Sequence, residues 1–232
     1  MNILDRFREH KVIGGLVDWE RLEEILKSEG IRLLDILGKG HRGVVFKGIY
    51  RDREVAIKVP RLDAKNTIYQ EGCILKEVNA LGIGPRLYTF SRDYLVMEYI
   101  DGITLKDYII SGDIDREGYL NIVKEVLKQC LRLDIHGIDH GEIQGGKHIV
   151  LKPPRVYLID FGSAKIGRTP RNFTSAISLF FGKSHIARRS CEILNISEAE
   201  RNHIIRFAKR YKEHLKNSYL FKSPRTCTSN SQ

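Results

Sequence analysis

The sequence has no long uncharged apolar run, few cysteines and no internal repeat or low-complexity tract. No apolar stretch approaches the length needed to cross a bilayer, and the first ten residues already contain several charges. We therefore expect a cytoplasmic protein with no membrane partner. The cysteines lack the paired spacing of a disulfide framework or a zinc site, which predicts reduced thiols. They are Cys73, Cys130, Cys191 and Cys227.

Two neighbouring segments, residues 37–45 and 55–59, form the most informative pattern in the chain. The first is a Gly-x-Gly-x-x-Gly-x-Val loop between strand-like runs, and the second contains one lysine, Lys58, among apolar residues. Because the loop does not open a helix, the pattern argues against dinucleotide binding. It resembles the hairpin that covers the phosphates of ATP in protein kinases, followed by the lysine of the next strand. The absence of β-carbons lets the glycine backbone approach phosphate oxygens closely.

A helix predicted over residues 67–81 places Glu71 on its apolar stripe, 13 residues after Lys58. An unpaired carboxylate there would be costly, so we expect Glu71 to form an ion pair with Lys58. The kinase resemblance implies that this pair orients the α- and β-phosphates. The competing glutamate, Glu77, points away from the stripe. The alternative is that Glu71 reaches solvent.

Residues 94–102 read as a strand that ends at a glycine and resemble the kinase strand and hinge beside the adenine ring. By that resemblance, Met97 lies at the back of the nucleotide pocket, while the backbone of Glu98 and Ile100 meets the adenine edge. Downstream, residues 156–162 form a short apolar strand that ends in Asp-Phe-Gly. The same resemblance makes the aspartate of this motif, Asp160, a ligand of Mg²⁺.

Residues 136–143 resemble the kinase His-Arg-Asp-Leu catalytic loop, with two departures. Gly141 stands in place of arginine, and Glu142 stands in place of the aspartate that positions or deprotonates the acceptor hydroxyl. The extra methylene moves the carboxylate by about 1.5 Å, and a misplacement of about 1 Å can cost about a hundredfold in rate. Where kinases place a second metal-binding asparagine, this chain offers Lys147 or, one residue on, His148. We favour His148 and leave Lys147 open.

In this order, the motifs resemble compact members of the protein-kinase-like superfamily: the RIO kinases, the KEOPS-complex kinase and small archaeal kinase-like proteins. The resemblance covers about residues 31–165. No Ala-Pro-Glu follows Phe161, so the usual platform for a peptide substrate is missing. The implied fold is α+β and two-lobed, with an antiparallel five-stranded small lobe containing one helix and a shortened, mainly helical large lobe. The expected divisions are a helical extension at 1–30, the small lobe at 31–96, the large lobe at 97–216 and a disordered tail at 217–232.

The resemblance implies an ATP-dependent serine/threonine protein kinase that uses Mg²⁺ and has an altered catalytic loop. Its catalytic residues would be Glu142, Lys58, Glu71 and Asp160, and its metal ligands Asp160 and His148. The residues around ATP would be Leu37, Gly38, Lys39, Gly40, Gly43, Val45, Ala56, Lys58, Met97, Glu98 and Ile100. Two alternatives stay open: a weak or inactive nucleotide-binding pseudokinase that regulates a partner, and a small-molecule kinase or ATPase.

Local signals also predict individual elements. Strands are expected near 31–38, 43–50 and 53–60, with a tight turn at Arg51-Asp52. One predicted helix begins after a cap at Asp18 and ends at Gly30. Two more are predicted over 115–136 and 172–181, and a last helix starts at a Ser197–Glu200 capping box.

The chain carries a net charge of +10, from 39 basic and 29 acidic residues. Many of the basic residues fall in the last predicted helix, where we expect them on the outer side. Such a face attracts phosphate-rich partners such as RNA or ribosomes, although a simple solvated helix face is the alternative. The residues concerned are Arg201, Arg206, Lys209, Arg210, Lys212 and Lys216.

Overall fold

The structure is a computed structural model that describes residues 3–112 and 114–219. Among these residues the chain forms two compact units, the first comprising residues 3–80 and 84–100 and the second the remainder. The first unit contains α1 (Ile3–Arg8), α2 (Trp19–Glu29), β1 (Arg32–Lys39), β2 (Gly43–Tyr50), β3 (Arg53–Pro60), α3 (Ile68–Ala80), β4 (Leu87–Phe90) and β5 (Leu95–Glu98). The second contains β6 (Ile103–Thr104), α4 (Leu105–Ile110), α5 (Arg116–Ile135), β7 (Ile138–Asp139), β8 (Ile149–Lys152), β9 (Arg155–Leu158), β10 (Lys165–Ile166), α6 (Asn172–Phe181), α7 (His185–Leu194) and α8 (Glu198–Tyr219).

The first unit is built on a five-stranded antiparallel sheet with strand order β1-β2-β3-β5-β4. β2 and β3 are joined by Arg51 and Asp52, whose φ angles of 49° and 60° suit the tight hairpin turn expected from the sequence. α2 begins at Asp18, whose side chain accepts from the Arg21 N–H, and ends at Gly30 with a φ of 66°. The apolar face of α2 joins the hydrophobic core of the first unit through Leu22, Ile25 and Leu26.

α3 packs closely on the edge strand β4 because a glycine lies at the contact. A β-carbon added to Gly72 would lie 2.2 Å from the ring of Phe90. This close approach fixes the neighbouring Glu71 on the buried face of the helix, where its exposure is 2%. Glu77 is exposed, as the sequence predicted.

The second unit is mainly helical, with α6 packed against α5, α7 and α8. α5 starts after Asp115, whose carboxylate accepts from the Glu117 and Gly118 N–H groups. Near the other end of α5, the buried Asp134 accepts hydrogen bonds from the backbone and side chain of Asn172 and from the Phe173 N–H. Two small sheets complete the unit: β6-β8-β9 and the β7–β10 pair.

The last helix starts where it was predicted to start, but it ends later than predicted and one of its arginines does not face outward. Ser197 and Glu200 form the expected capping box. The helix continues to Tyr219, so residues 217–219 belong to it rather than to the predicted tail, and residues 220–232 lie outside the described residues. Arg201 does not point outward as predicted: its guanidinium donates to the carbonyls of Phe181 and Gly182, which end α6. In the described part of the chain, every helix is too short or too polar to cross a membrane.

Candidate functional site

The first unit holds a buried ion pair between Lys58 and Glu71. The Lys58 Nζ atom lies 2.8 Å from each Glu71 carboxylate oxygen, and the two side chains are 7% and 2% exposed. β3 supplies the lysine from a central strand, paired with Val45 on one side and Leu95 on the other. The rigid sheet and the close packing of α3 therefore fix both charged groups in an apolar setting.

The glycine loop joins β1 to β2, and the space around each of its glycines differs. A β-carbon on Gly43 would meet the Val59 carbonyl at 2.8 Å and the Lys58 side chain at 3.1 Å, so this glycine makes room for the lysine stem. A β-carbon on Gly38 would meet open space, and on Gly40 it would lie 3.3 Å from the Gly43 carbonyl. The loop is thus closed tightly only at its β2 end.

A second cation, which the sequence analysis missed, holds the tip of this loop. Arg61 donates to the carbonyls of Gly40 and His41 at 3.0 and 3.2 Å. Asp63 in turn binds the Arg61 guanidinium through both carboxylate oxygens. The loop conformation therefore depends on an ion pair that follows β3.

The residues expected to form a hinge lie at the end of the same sheet. Ala56 is buried and pairs in register with Met97, and Glu98 ends β5. The Glu98 N–H donates to the Arg86 carbonyl at 2.8 Å. Any backbone contact between Glu98 and adenine would therefore use the Glu98 carbonyl. Ile100 is the last residue of the first unit, and Leu37 and Lys39 lie on β1.

The second unit brings Glu142, His148 and Asp160 together. The Nε2 atom of His148 lies 2.9 Å from a Glu142 carboxylate oxygen, and its Nδ1 atom lies 3.7 Å from Asp160 Oδ2. One ligand atom from each of the three side chains lies within 4.8 Å of the others, an arrangement able to hold a metal ion. Lys147, the alternative left open by the sequence, is exposed.

The backbone and a buried histidine fix this cluster. Asp160 adopts a φ of 62°, which is rare for a residue other than glycine, asparagine or aspartate. The next residue, Phe161, is buried and contacts the ring of His140 with centroids 4.7 Å apart. His140 Nε2 lies 3.0 Å from the Ile159 carbonyl, and its Nδ1 accepts from the Glu142 N–H. Burial, with the nearby His148 adding to it, lowers the pKa of His140 to about 4, so the ring is neutral at pH 7 and Nε2 carries the proton.

The structure explains why residue 141 is a glycine, which the sequence did not reveal. Its φ is 87°, a conformation strained for any side chain, and a β-carbon would lie 3.2 Å from the Ser163 carbonyl. The Arg168 guanidinium lies 3.6 Å from the same position. A residue of the usual arginine type would not fit this backbone without rearrangement.

Two further residues that the sequence analysis missed hold the 136–143 loop. Ser163 donates from Oγ to Glu142 Oε1 at 2.5 Å, so the glutamate is held between a hydroxyl and an imidazole. Asn172, at the start of α6, accepts from the His140 N–H and donates to the Ile138 carbonyl and to Asp134. Burial raises the pKa of Asp134, against the opposing effect of these hydrogen bonds. Both residues are ordinary helix-start or turn residues in the sequence, so no local pattern distinguishes them.

The donor set of this cluster fits a divalent cation. Two carboxylates supply the oxygen ligands that Mg²⁺ prefers, and the imidazole adds a donor that also suits Mn²⁺ or Zn²⁺. Residues Asp160 and His148 are therefore acceptable metal ligands on chemical grounds, with Glu142 close enough to join them.

Comparison with known proteins gives several relatives. The chain is 45% identical over 117 residues to the uncharacterized protein MJ1211 of Methanocaldococcus jannaschii, an alignment that covers 50% of this chain and 99% of that protein. It is 31% identical over 119 residues to the KEOPS complex subunit Bud32 of Pyrococcus abyssi, covering 48% of this chain and 52% of that protein. It is also 31% identical over 151 residues to the probable serine/threonine-protein kinase PknB of Lactococcus lactis, covering 60% and 24%. No protein-family model matches the sequence.

The five-stranded sheet, the helical second unit and these relatives define a protein of the protein-kinase-like superfamily, as the motifs predicted. Within it, the chain belongs to the same family as MJ1211 of M. jannaschii. The chain spans about half the length of the KEOPS subunit and about a quarter of PknB.

Proposed function

We propose that the chain is an ATP-dependent phosphotransferase that uses Mg²⁺ and transfers the γ-phosphoryl group to a serine or threonine of a protein. The buried Lys58–Glu71 pair carries this proposal. Replacing a buried ion pair by apolar residues is often neutral or stabilising, so such a pair is weak evidence for a stabilising role. A role in charge recognition explains it better: Glu71 holds the Lys58 ammonium in place to bind the α- and β-phosphates.

The remaining roles divide between the units. In the first, the glycine loop with Gly38, Gly40 and Gly43 covers the phosphates, and Met97 and the backbone of Glu98 and Ile100 bind the adenine. In the second, Asp160 and His148 hold the metal ion, which when bound neutralises phosphate charge.

Glu142 would accept the proton of the acceptor hydroxyl. The acceptor oxygen forms a bond to the γ-phosphorus while the bond from that phosphorus to the β–γ bridging oxygen breaks, releasing ADP. Since this chemistry relies mainly on positioning and electrostatics, a carboxylate displaced by one methylene supports slow turnover.

The state of Glu142 favours a second candidate, a nucleotide-binding pseudokinase that regulates a partner. Both of its carboxylate oxygens already have partners, Ser163 on one and His148 on the other. The variant Glu142→Asp separates the candidates. Raised phosphate transfer in this variant would identify a weakened enzyme, whereas background transfer in both proteins would support the pseudokinase.

The deciding experiment follows labelled γ-phosphate from Mg-ATP into protein, small molecules and water. We expect transfer to protein by the wild type and its loss in Asp160→Asn. Asp52→Asn is a matched control because Asp52 also has a positive φ, of 60°, but lies in the exposed β2–β3 turn. Label found only in metabolites or phosphate would point instead to a small-molecule kinase or an ATPase, and equal background in all three proteins would reject transfer.

A further inference from the structure

A pocket lies beside the catalytic loop, between the start of α6 and the last helix. Its volume is about 380 Å³, within the range of small-ligand sites. Gly141 and Gln144 of the catalytic loop line one side, and α6 and α8 line the others. The cationic and hydroxyl groups around it are those of Arg171, Thr174, Ser175, Ser178, Lys209 and Lys212.

The two lysines were predicted on the outer side of the last helix; both are exposed, and both also line this pocket. Lys209 and Lys212 lie on the same helical face as Ile205 and Ala208, which turns toward α6. Like charges three residues apart on a helix repel each other. Because the helix places both of them at one pocket, a bound anion would relieve this repulsion.

The third cation, Arg171, has only a weak partner. The nearby Asp139 is 2% exposed and is held by Arg168 at 2.5 Å, whereas the Arg171 Nε atom lies 3.9 Å from it. The charge of Asp139 is therefore already matched by Arg168. No carboxylate belongs to the described residues that line the pocket, and the acidic partner of Arg171, Asp139, lies 3.9 Å away and outside that lining.

We propose that this pocket binds a phosphoryl group of an already phosphorylated polypeptide, next to the point where Glu142 receives the acceptor. The inference deepens the proposed kinase function and rests on it for the role of Glu142. A phosphoryl group carries a charge of about −1.5 to −2 and three strong acceptor oxygens, which match three cations and the hydroxyls of Ser175 and Ser178. A carboxylate, with one charge, would leave most of the positive charge uncompensated.

The composition of the pocket favours a polypeptide over RNA. Single-stranded RNA is usually bound by aromatic side chains on which its bases stack. The described lining residues include no aromatic ring.

Gly141 lines the pocket and is bonded to Glu142, with about 3.8 Å between successive α-carbons. A phosphoserine or phosphothreonine anchored here would hold a serine or threonine a few residues away near the catalytic carboxylate. Such a site would partly replace the missing peptide platform.

Direct binding tests the subsite without ATP. The probe is a fluorescein-labelled peptide with one phosphoserine and, a few residues away, one unmodified serine, followed by fluorescence anisotropy. We expect the double variant Lys209→Ala with Lys212→Ala to bind it at least about tenfold more weakly than the wild type. The matched control is Arg206→Ala with Arg210→Ala, which removes the same charge from exposed positions of the same helix that do not line the pocket. It should change the affinity by less than about twofold.

The comparison probes are the unphosphorylated peptide, a version with glutamate at the phosphoserine, and a single-stranded RNA of similar length. Four outcomes would each overturn the proposal. The phosphopeptide does not bind, or the two double variants lose the same affinity for it. The glutamate peptide binds as tightly as the phosphopeptide, or the RNA binds through the pocket in place of the phosphopeptide. Phosphopeptide binding in a protein that transfers no phosphate would reject the kinase function and leave the subsite standing. Phosphate transfer without phosphopeptide binding would reject the subsite alone.

Discussion

At the scale of single residues, the Lys58–Glu71 pair allows a test that separates stability from nucleotide binding. Lys58→Met would strand the Glu71 carboxylate in its buried position and should destabilise the protein by about 3–5 kcal/mol. Adding Glu71→Leu removes the stranded charge, so the double variant should recover most of that loss. Neither variant should bind ATP with wild-type affinity, because the phosphates lose their cation.

Urea denaturation measures the stability of these variants, and a fluorescent ATP analogue measures binding. Lys47→Met is the control, since Lys47 is also a β2–β3 sheet lysine paired with a glutamate, Glu54, but is more exposed. Wild-type ATP affinity in the Lys58→Met, Glu71→Leu double variant would show that the pair has only a structural role.

His140 makes the stability of the protein depend on pH in a defined window. Its pKa is about 4 in the folded protein against 6.5 for an ordinary histidine, so between these values the unfolded chain binds a proton that the folded chain does not. Stability therefore falls as the pH falls from 6.5 toward 4, by about 1.4 kcal/mol per unit. The pKa of Asp134 is raised, and this contributes a slope of the opposite sign.

Comparison with His140→Gln isolates the histidine, because the contribution of Asp134 is common to both proteins. Between pH 7 and 5, the free energy of unfolding of the wild type should fall by about 2 kcal/mol more than that of the variant. EDTA in every sample removes divalent cations from the neighbouring carboxylates. Parallel pH profiles would mean that the ring is accessible to protons in the folded state.

At the scale of the elements, one asparagine couples α6 to the 136–143 loop. Asn172 is 1% exposed and contacts the loop backbone at Ile138 and His140, as well as the side chain of Asp134. Asn172→Ala should cost about 2–4 kcal/mol, because it leaves several buried polar groups without this partner. It should also lower kcat more than it raises the KM for ATP, since the loop that presents Glu142 loses its anchor.

Asn202→Ala is the control for this change, because Asn202 is exposed on α8. Denaturation and steady-state kinetics give the two readouts. A variant that is destabilised but keeps its full kcat would show that Asn172 supports the fold without positioning the loop.

Sequence reasoning predicted the elements well where the signal was local. The capping side chain of Asp18, the αL residue Gly30 and the Ser197–Glu200 box lie within a few residues of the helix ends that they mark. The apolar, β-rich runs on either side of the Arg51-Asp52 turn likewise predicted β2 and β3 with their observed bounds. These patterns need no knowledge of distant residues.

The residues that the sequence did not reveal act through distant partners. Asn172 binds the backbone of His140 across 32 residues, Ser163 reaches Glu142 across 21, and Arg61 holds Gly40 across 21. Each is a common polar residue beside a turn or a helix start, where solvent contact is the ordinary expectation. Only the fold shows that these three side chains are committed to the loops of the candidate site.

At the scale of the whole molecule, the net charge of +10 predicts how strongly the protein binds nucleic acid and how that binding depends on salt. With Arg201 bound to the end of α6 and two lysines at the pocket, the exposed residues of α8 outside the pocket include the cations Arg206, Arg210 and Lys216. Three exposed cations should bind RNA weakly and by counterion release alone. For contacts with two or three phosphates of a single strand, the logarithm of the binding constant should fall with the logarithm of the salt concentration with a slope of about −1.4 to −2.1.

Filter binding of a single-stranded RNA across a salt series measures this slope. Arg206→Ala with Arg210→Ala should make it shallower by about 1.4, since two phosphate contacts are lost. Lys209→Ala with Lys212→Ala removes the same charge from the pocket and should change the slope less, because those lysines line the pocket while Arg206 and Arg210 do not. RNA binding that persists at high salt would contradict a purely electrostatic contact and require base recognition, and no binding even at low salt would exclude RNA as a partner of this face.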